Sequence, residues 1–189
     1  MLKKNFIAKL KKDFDRSNSE RRQIISQANI ILHDSKRAIF SLHRGDLAAA
    51  GQSLEAITGN LIALQKKFGA KRVNEEGAYR AAVEEYVEAR LFSDISQGRK
   101  ADFFPDLEIS HESYLGGISD VTGELVRQAV NRAAQGDRQA VSEIKSIISE
   151  IMAQMVEFDM TGYLRTKYDQ ARGNLRKIEQ MAYDISLRK

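Results

Sequence analysis

The chain has no cysteine, no tryptophan and a single proline, Pro105, in 189 residues. Without cysteine it forms no disulfide, no thiolate zinc site and no cysteine nucleophile. With one proline, little interrupts helical runs rich in Ala, Leu, Ile, Glu, Lys and Arg. No apolar run approaches the roughly 20 residues needed to cross a bilayer, so no membrane partner is expected. A P-loop, a dinucleotide-binding fingerprint and a Gly-x-Ser-x-Gly elbow are all missing. The basic N-terminus lacks the apolar core of a secretion signal, and the expected compartment is the cytoplasm.

What remains suits one folded domain over residues 1–189. Hydrophobic residues make up 42% and charged residues 30%, which favours a packed core over disorder. The net charge of +4 is unevenly spread. Residues 1–44 carry 11 Lys or Arg against 4 Asp or Glu, while the remainder carries 19 against 22. The positive end suits a polyanion, although a merely solvated basic helix would look the same.

Helical periodicity dominates, and no segment shows the alternation of a strand. A first helix is predicted from about Lys3 to His43, with an irregularity anticipated at Ser17-Asn18-Ser19. Asp46 is placed to cap a second, ending near Phe68-Gly69. Asn74 is placed to cap a third, from Glu75 to Gln97. The segment Arg99–Ser110, which contains Pro105, reads as the longest loop. Ser110 is placed to cap a fourth helix, His111–Gln135. Gly136-Asp137 separates it from a fifth, which runs to about Phe158, and a sixth spans Gly162–Leu187. The expected fold is all-α, an antiparallel bundle of six to seven long helices. Short connections make sequential neighbours antiparallel.

Two acidic pairs stand out on this frame. Glu85 and Glu88 are three residues apart, and Asp120 and Glu124 four apart, so each pair shares a face of its helix. Glu85 and Glu88 lie in or beside an apolar stripe, where carboxylates are costly unless paired, protonated or metal-bound. On the fourth helix Leu115, Ile118, Leu125, Ala129 and Ala133 form the core stripe. Asp120, Glu124, Arg127 and Asn131 line the other face. Gly116, Gly117 and Gly123 border it and leave room for another backbone or a ligand. Four converging acids repel unless protons or a hard divalent cation compensate them. A basic end with an acidic pocket suggests metal-assisted chemistry on a phosphate backbone. The competing reading is a salt-bridged face in which Arg127 satisfies Asp120 and Glu124.

On the first helix, Ile24, Ala28, Ile31, Ser35, Ala38 and Leu42 form one stripe. Arg22, Asn29, His33, Lys36, Arg37, Phe40 and Arg44 form the other. Its cations suit phosphates, and Phe40 suits base stacking or an interface. His33 and His43 are assigned to this basic face or an interface rather than to a metal. Glu108-Ile109-Ser110-His111 has the Glu-x-x-His spacing of di-iron bundles, but those need two such motifs and only one is present.

Several segments resemble the translin superfamily. The run Asp34-Ser35-Lys36-Arg37-Ala38-Ile39-Phe40-Ser41-Leu42-His43-Arg44 is similar to its first-helix signature, closer to the Trax branch (translin-associated factor X). Glu85-Tyr86-Val87-Glu88-Ala89 resembles the Trax pattern of two glutamates flanking Tyr-Val. The block from Tyr114 through Gly116-Gly117-Ile118-Ser119-Asp120-Val121-Thr122-Gly123-Glu124 to Arg127 is similar to the most recognisable stretch of the superfamily. Tyr168-Asp169 and Tyr183-Asp184-Ile185-Ser186-Leu187-Arg188 resemble its last helix. The similarity runs from about Ser19 to the C-terminus.

This resemblance implies a helical, shell-like homo-oligomer, commonly octameric, that binds RNA or single-stranded DNA. Trax-type members are magnesium-dependent endoribonucleases, whereas translin-type members bind without the full acidic set. Carried over by motif, the catalytic acids are Glu85, Glu88, Asp120 and Glu124, with Lys36 and Arg37 as substrate contacts. Mg²⁺ or Mn²⁺ held by oxygen ligands suits phosphodiester hydrolysis. Glu85, Glu88 and Asp120 are assigned as ligands and Glu124 as a ligand or general base, with one ion or two both compatible. Arg127 is either a structural partner or a phosphate contact. The segment between the third and fourth helices is shorter than in eukaryotic Trax, which leaves the acids intact and leaves open whether a separate translin partner is needed. The alternative function is a non-catalytic RNA- or DNA-binding scaffold.

Overall fold

A computed structural model describes residues 2–187; Arg188, the end of the last-helix resemblance, lies outside them. Seven helices and no strand occur among the described residues: α1 Lys4–His43, α2 Leu47–Phe68, α3 Ala70–Asn74, α4 Gly77–Ser96, α5 His111–Ala134, α6 Arg138–Met155 and α7 Gly162–Leu187. α1 runs unbroken through Ser17-Asn18-Ser19, where an irregularity was expected. Asp46 and Ser110 cap as their sequence positions suggest, accepting from the backbone N–H of Ala49 and Ser113, and Asp137 also caps α6, accepting from that of Ala140.

Asn74 does not cap the next helix. It ends the five-residue α3, and its amide donates back to the Ala70 carbonyl at 2.9 Å. α4 begins instead after Glu76, without a side-chain cap. A helix of five residues is too short to leave a periodic signal, which is why the sequence pattern merges it into a connection.

The core is built on α1, α4 and α5. α4 packs against both α1 and α5, α2 covers α1 and α4, and α6 and α7 cover α5. Ile24, Ala28, Ile31, Ser35, Ala38 and Leu42 of α1 are all buried, as the stripe requires. Tyr79, Tyr86, Phe92 and Leu125 are among the largest fully buried side chains. The first turns of α1 extend beyond this core with Phe6, Ile7, Leu10 and Phe14 exposed.

Direction follows connection length. Lys67 near the end of α2 donates to Gln23 in the first half of α1, so this pair is antiparallel. Thr58 meets Tyr86 and Gln65 meets Tyr79, so α2 and α4 are antiparallel too. The long Gln97–Ser110 segment permits something else: α5 runs in the same direction as α4, with Gly116 beside Glu84 and Gln128 bonded to Ser96. That crossover is clamped by Gln65, which donates to the Glu108 carbonyl at 2.9 Å and accepts from its N–H at 3.1 Å. Phe104 stacks on Tyr114, with centroids 5.6 Å apart, and pins the other stretch of the loop.

Gly116 and Gly117 set how closely α4 and α5 approach. A Cβ at Gly117 would sit 2.6 Å from Val87 Cγ1 and 3.0 Å from the Glu84 carbonyl oxygen. A Cβ at Gly116 would overlap the Glu84 carboxylate. The room noticed in the sequence is therefore filled by the neighbouring helix rather than by a ligand. Gly117→Ala should lower stability by about 1–3 kcal/mol, because Val87 and backbone must give way. Gly59→Ala, where a new Cβ meets nothing within 4 Å, should stabilise the helix by about 0.5–1 kcal/mol. Thermal denaturation of both variants checks the opposite signs; a neutral Gly117→Ala would mean the helices are not in tight contact.

Candidate functional site

The close α4–α5 contact brings the two acidic pairs together. Glu85 and Glu88 project from α4, Asp120 and Glu124 from α5. Glu88 is only 8% exposed and, among the described residues, has neither a hydrogen bond nor an ion pair. Burial, followed by the negative charges of Glu85, Asp120 and Glu124, pushes its carboxyl up to about 9. Glu85 is raised mainly by burial; Lys36, 3.8 Å away on α1, pulls it down, while Asp120 and Glu124 push it up. All four acids thus lie within electrostatic reach of one another.

Two of them are also hydrogen-bonded to other helices. Asp120 accepts from Lys167 of α7 at 2.5 Å. Burial raises the Asp120 carboxyl, with the Lys167 hydrogen bond opposing. Glu124 lies 2.5 Å from the Nε2 of His43 and 3.6 Å from Arg127. The His43 hydrogen bond holds its carboxyl below the usual range, against the effect of burial. Arg127 therefore pairs with Glu124 alone, and the counter-charge of Asp120 comes from a different helix.

Three residues that sequence reasoning passed over complete the site. Glu84, adjacent to the assigned acids, receives Lys167 at 2.7 Å and the Tyr163 hydroxyl at 2.6 Å. Lys167 also lies over the Tyr163 ring, 5.4 Å from its centroid. Burial works against the Lys167 ammonium, but Asp120 and Glu84 outweigh it and raise its pKa. No spacing within α7 signals this role, because it depends on how α7 is rotated against α5. His43 corrects an expectation. It is not on the basic face: its side chain is 5% exposed, stacked 4.8 Å from Phe92 and bonded to Glu124. Its Nδ1 is buried without a partner.

The basic face of α1 is otherwise as expected. His33, Lys36, Arg37, Phe40 and Arg44 are exposed. The Arg44 guanidinium stands 5.8 Å over the Phe40 ring. Lys36 reaches the rim of the acidic cluster, whereas Arg22 lies about 20 Å further back along the helix, in a groove against Lys67 of α2. Glu108 lies in the crossover with its backbone held by Gln65, so Glu108 and His111 are not a helical di-iron pair.

Among the described residues, no three His, Asp or Glu side chains already form a ligand cage. The donor set nevertheless fits a hard divalent cation in kind. The acids whose charges act on Glu88 are Glu85, Asp120 and Glu124, all oxygen donors, and Glu88 itself is buried without an ion pair among the described residues.

Comparison with known proteins follows the same lines. Residues 99–189 match the family model described as the Translin family. Chicken (Gallus gallus) translin is 32% identical over 92 residues, which is 48% of this chain and 40% of that protein. The match thus spans about two fifths of the length of that relative. Rat (Rattus norvegicus) translin-associated protein X is 20% identical over 219 residues, covering 93% of this chain and 76% of that protein. Among solved structures, "Structure of AfC3PO - duplex RNA complex" superposes with a TM-score of 0.83 at 23% identity, covering 97% of each chain. That likeness shows the fold. Asp120, Glu124 and Lys167 fall inside the family match; Glu84, Glu85 and Glu88 fall outside it.

Glu88 makes stability pH-dependent in a defined direction. Its native carboxyl titrates at about 9, against 4.5 for an ordinary Glu. Between those values the folded chain keeps a proton that the unfolded chain has released. Its contribution is full at acid pH and is lost as pH rises through the folded value. Glu88→Gln should therefore raise stability at pH 8 by about 1–3 kcal/mol and flatten the pH dependence. Denaturant melts of both proteins from pH 5 to 9, without divalent ions, check this; parallel curves would mean that Glu88 is compensated.

Proposed function

We infer that this chain, whose residues 99–189 carry the translin-family pattern, is a Trax-like endoribonuclease. It hydrolyses phosphodiester bonds of single-stranded or weakly paired RNA, using Mg²⁺ or Mn²⁺ held by carboxylates. The observation that carries this reading is Glu88, a buried carboxylate with no partner in the field of Glu85, Asp120 and Glu124. The structure of AfC3PO with duplex RNA supports RNA as the class of substrate. A homo-oligomeric, shell-like assembly belongs to the same proposal.

When bound, such an ion acidifies a water and neutralises charge on the leaving oxygen. The chain's own residues do the rest. Glu85 and Glu88 supply oxygen ligands from α4, and Asp120 offers the carboxylate oxygen that Lys167 does not take. Glu124, aligned by the His43 Nε2, is a further ligand or takes the proton from the water. Lys36 at the rim, with Arg37 and Arg44 on the same exposed face, holds the strand's phosphates, and Phe40 stacks on a base.

A second reading, a nucleic-acid-binding scaffold without catalysis, is favoured by one observation: Lys167 already neutralises part of the acidic cluster. Labelled RNA incubated with Mg²⁺, Mn²⁺ or EDTA separates the two. The nuclease cuts with either metal and stops with EDTA, whereas a scaffold binds and never cuts. Glu88→Gln should reduce cutting at least 100-fold while RNA binding survives; cleavage at the parental rate removes Glu88 from the chemistry. Replacing Lys36 and Arg37 by Glu should weaken RNA binding and reduce its salt slope. An unaltered slope would place the strand on another surface.

A further inference from the structure

The acidic cluster has two halves with different counter-charges. In one half, the Lys167 ammonium lies 2.7 Å from Glu84 Oε1 and 2.5 Å from Asp120 Oδ2, and its side chain is 16% exposed. Tyr163 donates to the same Glu84 oxygen at 2.6 Å. In the other half, Glu124 is bonded to the buried Nε2 of His43 at 2.5 Å, and the remaining cations are of another kind. Lys36 and Arg127 stand 3.8 Å from Glu85 and 3.6 Å from Glu124 and are mostly in water, where ion pairs are weak. Glu88, more than nine-tenths buried, has no hydrogen bond or ion pair among the described residues, and the field of Lys167 only partly offsets its burial and its acidic neighbours. The least compensated negative charge therefore lies at Glu85 and Glu88, which feel the field of Lys167 without touching it.

We propose that Lys167 is a tethered cation that fills the second cation position of the cluster, so that each chain takes one divalent ion, on the Glu85–Glu88–Glu124 side. This rests on the reading of the cluster as a cation site.

Two-ion sites share a bridging carboxylate between their metals. Asp120 is the residue placed to bridge, being the acid that borders both halves, and one of its oxygens is committed to an ammonium. A second divalent ion beside Glu84 and Asp120 would sit against that ammonium in a poorly solvated position, where like charges repel strongly. Moving Lys167 aside would leave Glu84 and Asp120 without their closest cation and would break the contact with Tyr163. The lysine also comes from α7, a different helix from all five carboxylates. The number of ions is thereby linked to the docking of α7 on α5, which Asn174 reinforces by donating to Thr122 at 2.9 Å.

The experiment counts Mn²⁺ per chain on the intact protein, by calorimetry and by electron paramagnetic resonance. The wild type should bind one ion, with the spectrum of an isolated Mn²⁺. Lys167→Met should bind two and show the signal of a spin-coupled pair, while Lys167→Arg should stay at one. If Lys167→Met does not fold, by its helical circular dichroism, Lys167→Gln gives the same reading, because its amide still donates to Glu84 or Asp120. Two ions on the wild type would overturn the proposal, as would a single ion on a folded Lys167→Met or Lys167→Gln. No ion on the wild type would instead defeat the cation site itself, and with it the nuclease reading.

Discussion

The contact between Gly116-Gly117 of α5 and Glu84-Val87 of α4 governs the rest of the molecule. Two helices running in the same direction are brought close enough that side chains larger than hydrogen would collide. That spacing puts acids from both helices into one another's fields. A wider separation would let water between them and reduce their mutual repulsion. The buried Glu88 and the engaged Asp120 are therefore consequences of two missing methyl groups.

The same contact explains why the surrounding cations are so specifically placed. α7 supplies Lys167 and Tyr163 to Glu84 and Asp120, while α1 supplies His43 to Glu124. Each outer helix neutralises one part of the cluster, and Glu88 alone is left without a hydrogen bond or ion pair among the described residues, with only the field of Lys167 to offset its burial. A fold concerned only with stability would pair or replace such a residue, since an unpaired buried acid is destabilising. Under the proposed function, the partner of that residue is a divalent cation.

Much of this organisation was legible from residue order. The 3.6-residue period located the long helices, and the caps Asp46 and Ser110 lie where their side chains suggested. The two acidic pairs were visible because helical spacing alone puts them on shared faces. What stayed hidden depended on tertiary placement. Lys167 and Tyr163 carry no local mark, since their role comes from the rotation of α7 on α5. His43 sits beside Arg44 at the end of a basic helix, and only the packing of Phe92 turns it inward. Gly116 and Gly117 signalled free space, but the sequence did not say that α4 would occupy it. Glu84 was eclipsed by Glu85, one residue away, although the two face different counter-ions.

The crossover from Gln97 to Ser110 has a further implication for how the molecule comes apart. Chain that lies upstream of it holds Glu84, Glu85, Glu88 and His43; chain downstream holds Asp120, Glu124 and Lys167. Most of the segment around Pro105 is exposed, yet Gln65 and Tyr114 tether it on either side. A protease that nicks it would leave two fragments, each carrying an incomplete set of charges. Asp120 would keep Lys167 and Glu124 would keep Arg127, but Glu84 would lose Lys167 and Glu124 would lose His43, so these two cross-contacts would join the shared core in holding the fragments together.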